Sequence, residues 1–366
     1  TLGCVSGTVF EDHNGDGVQG ADEITLAGAE LRLIPHRSDL EEASVVTAAD
    51  GSFAFEGLHP DTYTLQVSLP EGRVLTRKIG YTLPLTPGEN DQRATLPLAM
   101  GERYEAQQLG AVTPAQVTGV LWLDENNDGR MDASERTPAG KTITVVDEDT
   151  GTVFAKLTTD EQGAFAVRGL VPGNYTFRYA LDEQTLAAPA GDSTFTQVGS
   201  HLQQAVTVQE GDSVSSLKLG VVMYTSLGGQ VWLDRAGVME PVVGAHVLLT
   251  DANGAQVALA DSAEDGTYRF NNLMPGTYYL AATLPEGYLV VEPDDARLTE
   301  GGHTSVLVQT NGQSGQSDKI VLRMAEDQLH LDMGSVLPGS LGDQAWLDLN
   351  GNGVYDSDEP GLPGVT

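Results

Sequence analysis

The stretch Gly119-Val120-Leu121-Trp122-Leu123-Asp124-Glu125-Asn126-Asn127-Asp128-Gly129-Arg130-Met131-Asp132-Ala133-Ser134-Glu135 decides how the chain is read. Its first five residues are apolar and close on an aromatic anchor. The rest places oxygen-bearing side chains at alternate positions, Asp124, Asn126 and Asp128, then Asp132, and ends in an acid. The frame returns as Phe10-Glu11-Asp12, Trp232-Leu233-Asp234 and Trp346-Leu347-Asp348, about every 110 residues, and such periodicity marks one structural unit used repeatedly.

Further anchors keep the same phase. Asp50-Gly51-Ser52-Phe53, Gln162-Gly163-Ala164-Phe165 and Asp265-Gly266-Thr267-Tyr268 each read as a turn entering a strand. Next come Leu58-x-Pro60-Asp61-x-Tyr63, Leu170-x-Pro172-Gly173-x-Tyr175 and Leu273-x-Pro275-Gly276-x-Tyr278. Pro then Gly predicts a type II turn, with Asp61 departing from the pair in the first copy. Between the anchors, Gly28 to Leu33, Gly140 to Val145 and Gly244 to Leu249 alternate with period two. Leu31 and Leu33, Ile143 and Val145, and Val247 and Leu249 therefore point inward from strands. Each copy ends alike, at Leu109-Gly110-Ala111-Val112, Leu219-Gly220-Val221-Val222 and Met333-Gly334-Ser335-Val336.

Short strands, Gly and Pro punctuation and no long helical period predict an all-β chain of tandem β-sandwiches. The expected divisions are 1–112, 113–222 and 223–336, followed by the truncated start of a fourth copy at 337–366. About 30 residues cannot bury a core, so the parent chain is expected to continue as a longer, monomeric array.

Three copies carry the calcium-loop pattern D-x-[DN]-x-[DN]-G-x5-E after the aromatic anchor. The first consists of Asp12, Asn14, Asp16, Gly17 and Glu23, and the second of Asp124, Asn126, Asp128, Gly129 and Glu135. Asp348, Asn350, Asn352, Gly353 and Glu359 form the third match, in copy four. Calcium takes six to eight hard oxygens, which alternate side chains supply while Gly makes the bend and the last Glu closes the loop. The carbonyls of Val18, Arg130 and Val354 are expected as further ligands. Position 9 is Asp132 and Asp356 in two copies and Gly20 in the first. Copy three instead reads Asp234-Arg235-Ala236-Gly237-Val238-Met239-Glu240 and is expected to hold no metal. Apolar alternation on both sides places these EF-hand-like loops in a β scaffold.

Composition supports a cation partner. With 52 Asp+Glu against 19 Lys+Arg, the net charge of −33 repels nucleic acid and anionic lipid alike. No uncharged apolar run approaches the ~18 residues that a membrane span needs. One cysteine, Cys4, allows no internal disulfide.

Taken together, the ordered motifs resemble the B-type modules of Gram-positive surface adhesins, the serine-aspartate-repeat protein B-domain family and its collagen-adhesin relatives. The resemblance covers essentially the whole chain. It implies a transthyretin-like (prealbumin-like, Ig-like) seven-stranded sandwich, secretion or cell-wall anchoring, and calcium-rigidified modules in a stalk. It departs from the collagen-adhesin type in one respect: the first strands, Gly7 to Glu11, Gly119 to Leu123 and Gly229 to Leu233, carry no Lys for an isopeptide bond.

No nucleophile with its base, no open metal site and no phosphate loop stands out, so no enzyme is expected. The seven His residues repeat at no paired spacing. The alternative to a spacer is an array that binds glycans or host or matrix proteins, in which Trp122, Trp232 and Trp346 would be sugar-stacking platforms. Their fixed register at a strand, with Phe10 substituting, favours packing.

Overall fold

The computed structural model describes residues 2–70, 72–235, 238–293, 295, 304–339 and 342–364, and none of these is helical. The chain divides into two compact units, Thr1–Tyr224 and Thr225–Thr366.

The first unit begins with strands β1 (Gly3–Glu11), β2 (Glu30–Pro35), β3 (Ala43–Val46), β4 (Ser52–Leu58), β5 (Asp61–Ser68), β6 (Val74–Leu75), β7 (Asp91–Leu98) and β8 (Arg103–Val112). They form two sheets of order β4-β1-β8-β6 and β3-β2-β5-β7. The copy thus has eight strands rather than the expected seven, among them the two-residue β6. One core is drawn from both sheets: Val5, Val9, Phe53, Phe55 and Leu109 meet Leu31, Leu33, Tyr63, Leu65, Val67, Leu96 and Leu98. Alternate residues of β2, β5 and β7 and Phe53 and Phe55 of β4 enter it, because successive side chains of a strand point to opposite faces; past the left-handed Gly57 the phase of β4 shifts and Leu58 enters. Removing a Leu or Phe side chain from water contributes about 1.5–3 kcal/mol, which makes the alternation decisive.

The second half of this unit repeats the plan. Its strands are β9 (Ala115–Leu123), β10 (Thr142–Asp147), β11 (Thr152–Thr158), β12 (Ala164–Leu170), β13 (Gly173–Ala180), β14 (Thr185–Ala187), β15 (Thr196–Val198), β16 (His201–Val208) and β17 (Ser213–Met223). The sheets run β12-β9-β17-β14 and β11-β10-β13-β16-β15. Ile143, Val145, Phe165, Phe177 and Leu219 are buried.

In the second unit the strands are β18 (Thr225–Arg235), β19 (Val238–Pro241), β20 (His246–Asp251), β21 (Gln256–Asp261), β22 (Thr267–Leu273), β23 (Gly276–Thr283), β24 (Leu289–Val291), β25 (Leu307–Gln309), β26 (Ser314–Ser317), β27 (Ile320–Leu322) and β28 (Met333–Val336). One sheet is β19-β18-β28-β24 with β22 on β18, and the other is β21-β20-β23-β26-β25 with β27 on β23. Val247, Leu249, Phe270, Tyr278 and Leu280 share its core. Residues 342–364 add the bridge Trp346↔Gly361.

Two features differ from the expectation. The first strand of each copy starts earlier, at Gly3, Ala115 and Thr225, so only Thr113 and Pro114 separate β8 from β9. The Pro-Gly pairs are not type II turns. Gly173 has φ +154° and Gly276 has no positive φ; the left-handed residue lies upstream, at Gly57 (φ 68°), Gly169 (φ 78°) and Asn272 (φ 56°). Asn is among the side chains that tolerate that region, and Asp61 replaces Gly freely because its position demands nothing unusual.

In each copy the first strand pairs in parallel with the last long strand. Val9 is partnered by Leu109, Leu121 by Leu219 and Val231 by Met333. The loop leaving β1, β9 or β18 therefore emerges at the end of a central strand.

Candidate functional site

Asp12 follows β1 directly and is fully buried. Its Oδ1 accepts the Gly15 amide at 2.8 Å and its Oδ2 the Gly17 amide at 2.8 Å, while the Thr76 hydroxyl donates to Oδ2 as well. Asn14 Oδ1 accepts from Asp16 N, and Asp16 Oδ1 from Val18 N, each at 2.8 Å. Glu23 Oε2 accepts Gly20 N at 2.9 Å. The side chains at positions 1, 3 and 5 of the loop thus each hold an amide two or more residues ahead, and this curls the chain.

The same network recurs in the second loop. Asp124 accepts from Asp128 N at 3.0 Å and Gly129 N at 2.8 Å, Asn126 Oδ1 from Asp128 N at 3.0 Å, and Asp128 Oδ1 from Arg130 N at 2.8 Å. Glu135 ties the loop's ends, taking Glu125 N at 2.9 Å and Asp132 N at 3.1 Å. In the loop of copy four, Asp348 accepts from Gly351, Asn352 and Gly353, and Asn352 Oδ1 accepts from Val354 N. Glu359 closes it on Leu349 N and Asp356 N, while the Asp356 carboxylate accepts from the side-chain amides of Asn350 and Asn352. Glu23 does not reach back in this way to the residue after Asp12. The bend residue is left-handed in all three, with φ 75° at Gly17, 77° at Gly129 and 74° at Gly353. A β-carbon there would be strained in each loop, which explains the recurring Gly.

Electrostatics separates the loops. Burial pushes the Asp12 carboxyl up from its usual value, opposed by the Thr76 and backbone hydrogen bonds and reinforced by Glu23. Asp124 is raised by burial and by Asp128, and Glu135 by burial and by Asp124 and Asp132. Asp348 is instead lowered, chiefly by the Gly353 amide, because it lies exposed. The difference has a structural source: the first two loops are covered. Gly17 packs against the Arg77 carbonyl, and Gly129 O accepts Asp192 N at 2.7 Å while Asp192 Oδ2 accepts Met131 N at 3.1 Å.

No Lys or Arg forms an ion pair with Asp12, Asp16, Glu23, Asp124, Asp128 or Glu135 among the described residues; nearby cations are taken by Glu11 and Glu125. Nor do three His, Cys, Asp or Glu side chains converge on one point among the described residues. The donor set of each loop is hard oxygen, part of it amide and main-chain carbonyl, and the acids are held by amides that leave lone pairs over. These residues fit a calcium ion in chemistry and chain path. Such an ion would supply the positive charge that Asp12 and Asp124 lack.

Copy three replaces the loop by a hairpin. Leu233 pairs with Glu240, Asp234 with Met239 and Arg235 with Val238, and Arg235 meets Glu240 at 3.3 Å. Ala236 and Gly237 of that run lie outside the described residues.

Trp122 and Trp232 are buried, the latter donating its indole N–H to Thr304 O at 3.0 Å, so neither offers a stacking face. The tyrosine of each Leu-x-Pro-x-x-Tyr anchor has a purpose the sequence did not disclose. Tyr63, Tyr175 and Tyr278 donate their hydroxyls to the carbonyls of His59, Val171 and Met274, four residues back, at 3.0, 2.9 and 2.8 Å. The constant spacing was the available signal.

The SdrD B-like domain family matches residues 3–82, 115–220 and 225–335. Serine-aspartate repeat-containing protein D of Staphylococcus aureus (strain Newman) is 28% identical over 374 residues, covering 98% of this chain and 27% of that protein. Serine-aspartate repeat-containing protein F of Staphylococcus epidermidis is 27% identical over 375 residues, covering 98% and 21%. Colossin-A of Dictyostelium discoideum is 25% identical over 370 residues, covering 99% and 3%. The chain therefore spans little more than a quarter of these relatives at most. Among solved structures, BcpA, the major pilin subunit of Bacillus cereus, aligns with 92% of this chain and 100% of its own at 13% identity and a TM-score of 0.31. With the family matched in three successive copies, the chain belongs to the SdrD B-like domain family, a non-enzymatic family.

Proposed function

We propose that this chain is a calcium-binding, semi-rigid spacer in a secreted or cell-wall-anchored adhesin, built from modules at 1–112, 113–222 and 223–336 with a fourth beginning at 337. One observation carries the reading. Three loops in the same phase of the repeat share a carboxylate at position 1 that accepts the amide of a left-handed glycine at position 6. Asp12, Asn14, Asp16, Glu23 and the Val18 carbonyl would hold the first ion. Asp124, Asn126, Asp128, Asp132, Glu135 and the Arg130 carbonyl would hold the second. Asp348, Asn350, Asn352, Asp356, Glu359 and the Val354 carbonyl would hold the third. The ion acts structurally, drawing together acids that repel one another. Titration calorimetry of the full chain tests this: calcium heat lost from the first two loops on Asp16→Ala with Asp128→Ala is expected, and no heat in the parent chain overturns it. A glycan or matrix-protein receptor array is the second reading. The burial of Trp122 and Trp232 weighs against sugar stacking, and a binding screen decides the rest.

A further inference from the structure

The first calcium loop does not end in solvent. Gly15, between the loop residues Asn14 and Asp16, lies against Pro172, so closely that a β-carbon on it would come within 2.7 Å of the Pro172 carbonyl oxygen. Arg77 clamps the contact. Its Nη1 donates to Gly15 O and to Pro172 O, both at 2.8 Å. Its Nη2 donates to Asp149 and lies 3.8 Å from Asp147. The Arg77 and Asp147 side chains are only 14% and 11% exposed. Asp147 is itself held by the Asp149 and Thr150 amides, and Asp149 by the Asn174 amide, so the guanidinium meets a fixed seat on the second copy.

Two contacts flank the clamp. His13 Nδ1 and Glu210 Oε2 are 2.5 Å apart, and Glu210 Oε1 accepts Thr113 N at 3.1 Å, fixing the link between β8 and β9. Val74, Val112 and Val171 form a small buried cluster across the same junction. A planar guanidinium with several donors specifies geometry in a way an ammonium does not. Arg77 is also not a repeated residue: the stretch covering the second loop offers Pro189 and Ala190 where Gly17 meets Arg77.

We infer that Arg77 makes ion occupancy of the first loop and the orientation of copy one on copy two a single equilibrium. The inference rests on the calcium reading above. The backbone of Gly15 serves both states: it sits between two ligand residues, and its carbonyl is half of the Arg77 clamp. An ion that fixes the loop fixes the surface Arg77 must grip. By linkage, the grip must favour the ion by the same factor.

The test uses the full chain with Asp128→Ala, Glu135→Ala and Asp348→Ala, which leaves the first loop as the intact calcium site, and with Cys4→Ala. Spin labels at Val46→Cys and Val198→Cys, both exposed, report the distance between the copies. With calcium, a narrow distance distribution is expected, broadening on chelation. Arg77→Ala and, separately, Asp149→Ala should broaden it with calcium present and weaken calcium binding by about five-fold or more. Asp149 touches no loop residue, so its effect cannot come from damage to the ligands. Absence of calcium heat in the parent overturns the calcium reading and the coupling with it. Heat in the parent with an unchanged affinity or an unchanged distribution in both variants overturns the coupling alone.

Discussion

Gly220 lies against the indole of Trp122: a β-carbon on Gly220 would come within 2.5 Å of Cζ2 and 2.6 Å of Cη2. Gly334 stands in the same relation to Trp232, at 2.6 and 2.7 Å. The aromatic anchor that opens a copy and the glycine that closes it are thus two halves of one contact, on neighbouring parallel strands. Where the anchor is Phe10, the room at Gly110 is filled by Asp12 and Thr76 instead.

Gly220→Ala is therefore expected to destabilise the second copy by about 1–3 kcal/mol, the usual cost of overfilling a packed site. Thermal or denaturant unfolding of the full chain should show it in the transition assigned to residues 113–222. Gly211→Ala, whose nearest neighbour is the Thr113 methyl at 3.8 Å, separates crowding from backbone strain, since its φ is +70°.

Calcium should raise the melting temperature of the parent chain and narrow its shape. With affinities of ~10⁻⁴–10⁻³ M, ordinary for extracellular modules, saturation at 100 times Kd contributes about 2.7 kcal/mol to a site. Calorimetric melts with calcium and with chelator measure this. A transition belonging to copy three, where a hairpin replaces the loop, should not move. In small-angle scattering, chelation is expected to broaden the distribution of interatomic distances, and Asp124→Ala with Asp128→Ala should reproduce some of that change with calcium present. Superimposable profiles in all conditions would leave the ions as local staples.

Thr76→Val removes the hydroxyl that donates to Asp12 Oδ2, a partner Asp124 does not have. The carboxylate then has one donor fewer competing for its lone pairs. Calcium binding at the first loop is expected to tighten by a few-fold while the second loop is unchanged, read by calorimetry in an Asp348→Ala background.

Tyr175→Phe deletes the hydroxyl that satisfies the Val171 carbonyl. Loss of a buried hydrogen bond costs about 0.5–1.5 kcal/mol, and more where the acceptor finds no water. Urea unfolding should place the variant in that range, and Tyr63→Phe and Tyr278→Phe should behave alike in their own copies.

Much of the fold was legible because it repeats. Leu31, Ile143 and Val247 stand at one phase of one motif, and burial of alternate residues follows from the strand period alone. The pairing of β1 with β8 was not legible, since about 100 residues separate the partners and parallel neighbours leave no turn between them. The Pro-Gly pairs misled for a local reason: the pair fits a type II turn, but here the chain enters β13 with φ +154° at Gly173 and β23 with no positive φ at Gly276, and the left-handed step falls at Gly169 and Asn272. The loop residues could be named from spacing. What covers them could not, because Arg77, Asp149 and Glu210 recur in no other copy and carry no periodic signal.

The parallel neighbours β1 and β8 also decide how a copy meets tension. One strand enters the copy and the other leaves it, so a pull on the two ends draws them past each other along their length. The slanted hydrogen bonds from Gly7 with Gln107 to Glu11 with Ala111 then share the load together. A hairpin loaded at its open end would instead unzip, rung after rung. Each copy is therefore a shear joint in series with its neighbours, and single-molecule pulling through the termini should find high, discrete rupture forces in the first two copies. The third, whose parallel ladder of β18 with β28 spans Val231, Trp232 and Leu233 and is continued by the single bridge Leu227↔Gln328, should yield first.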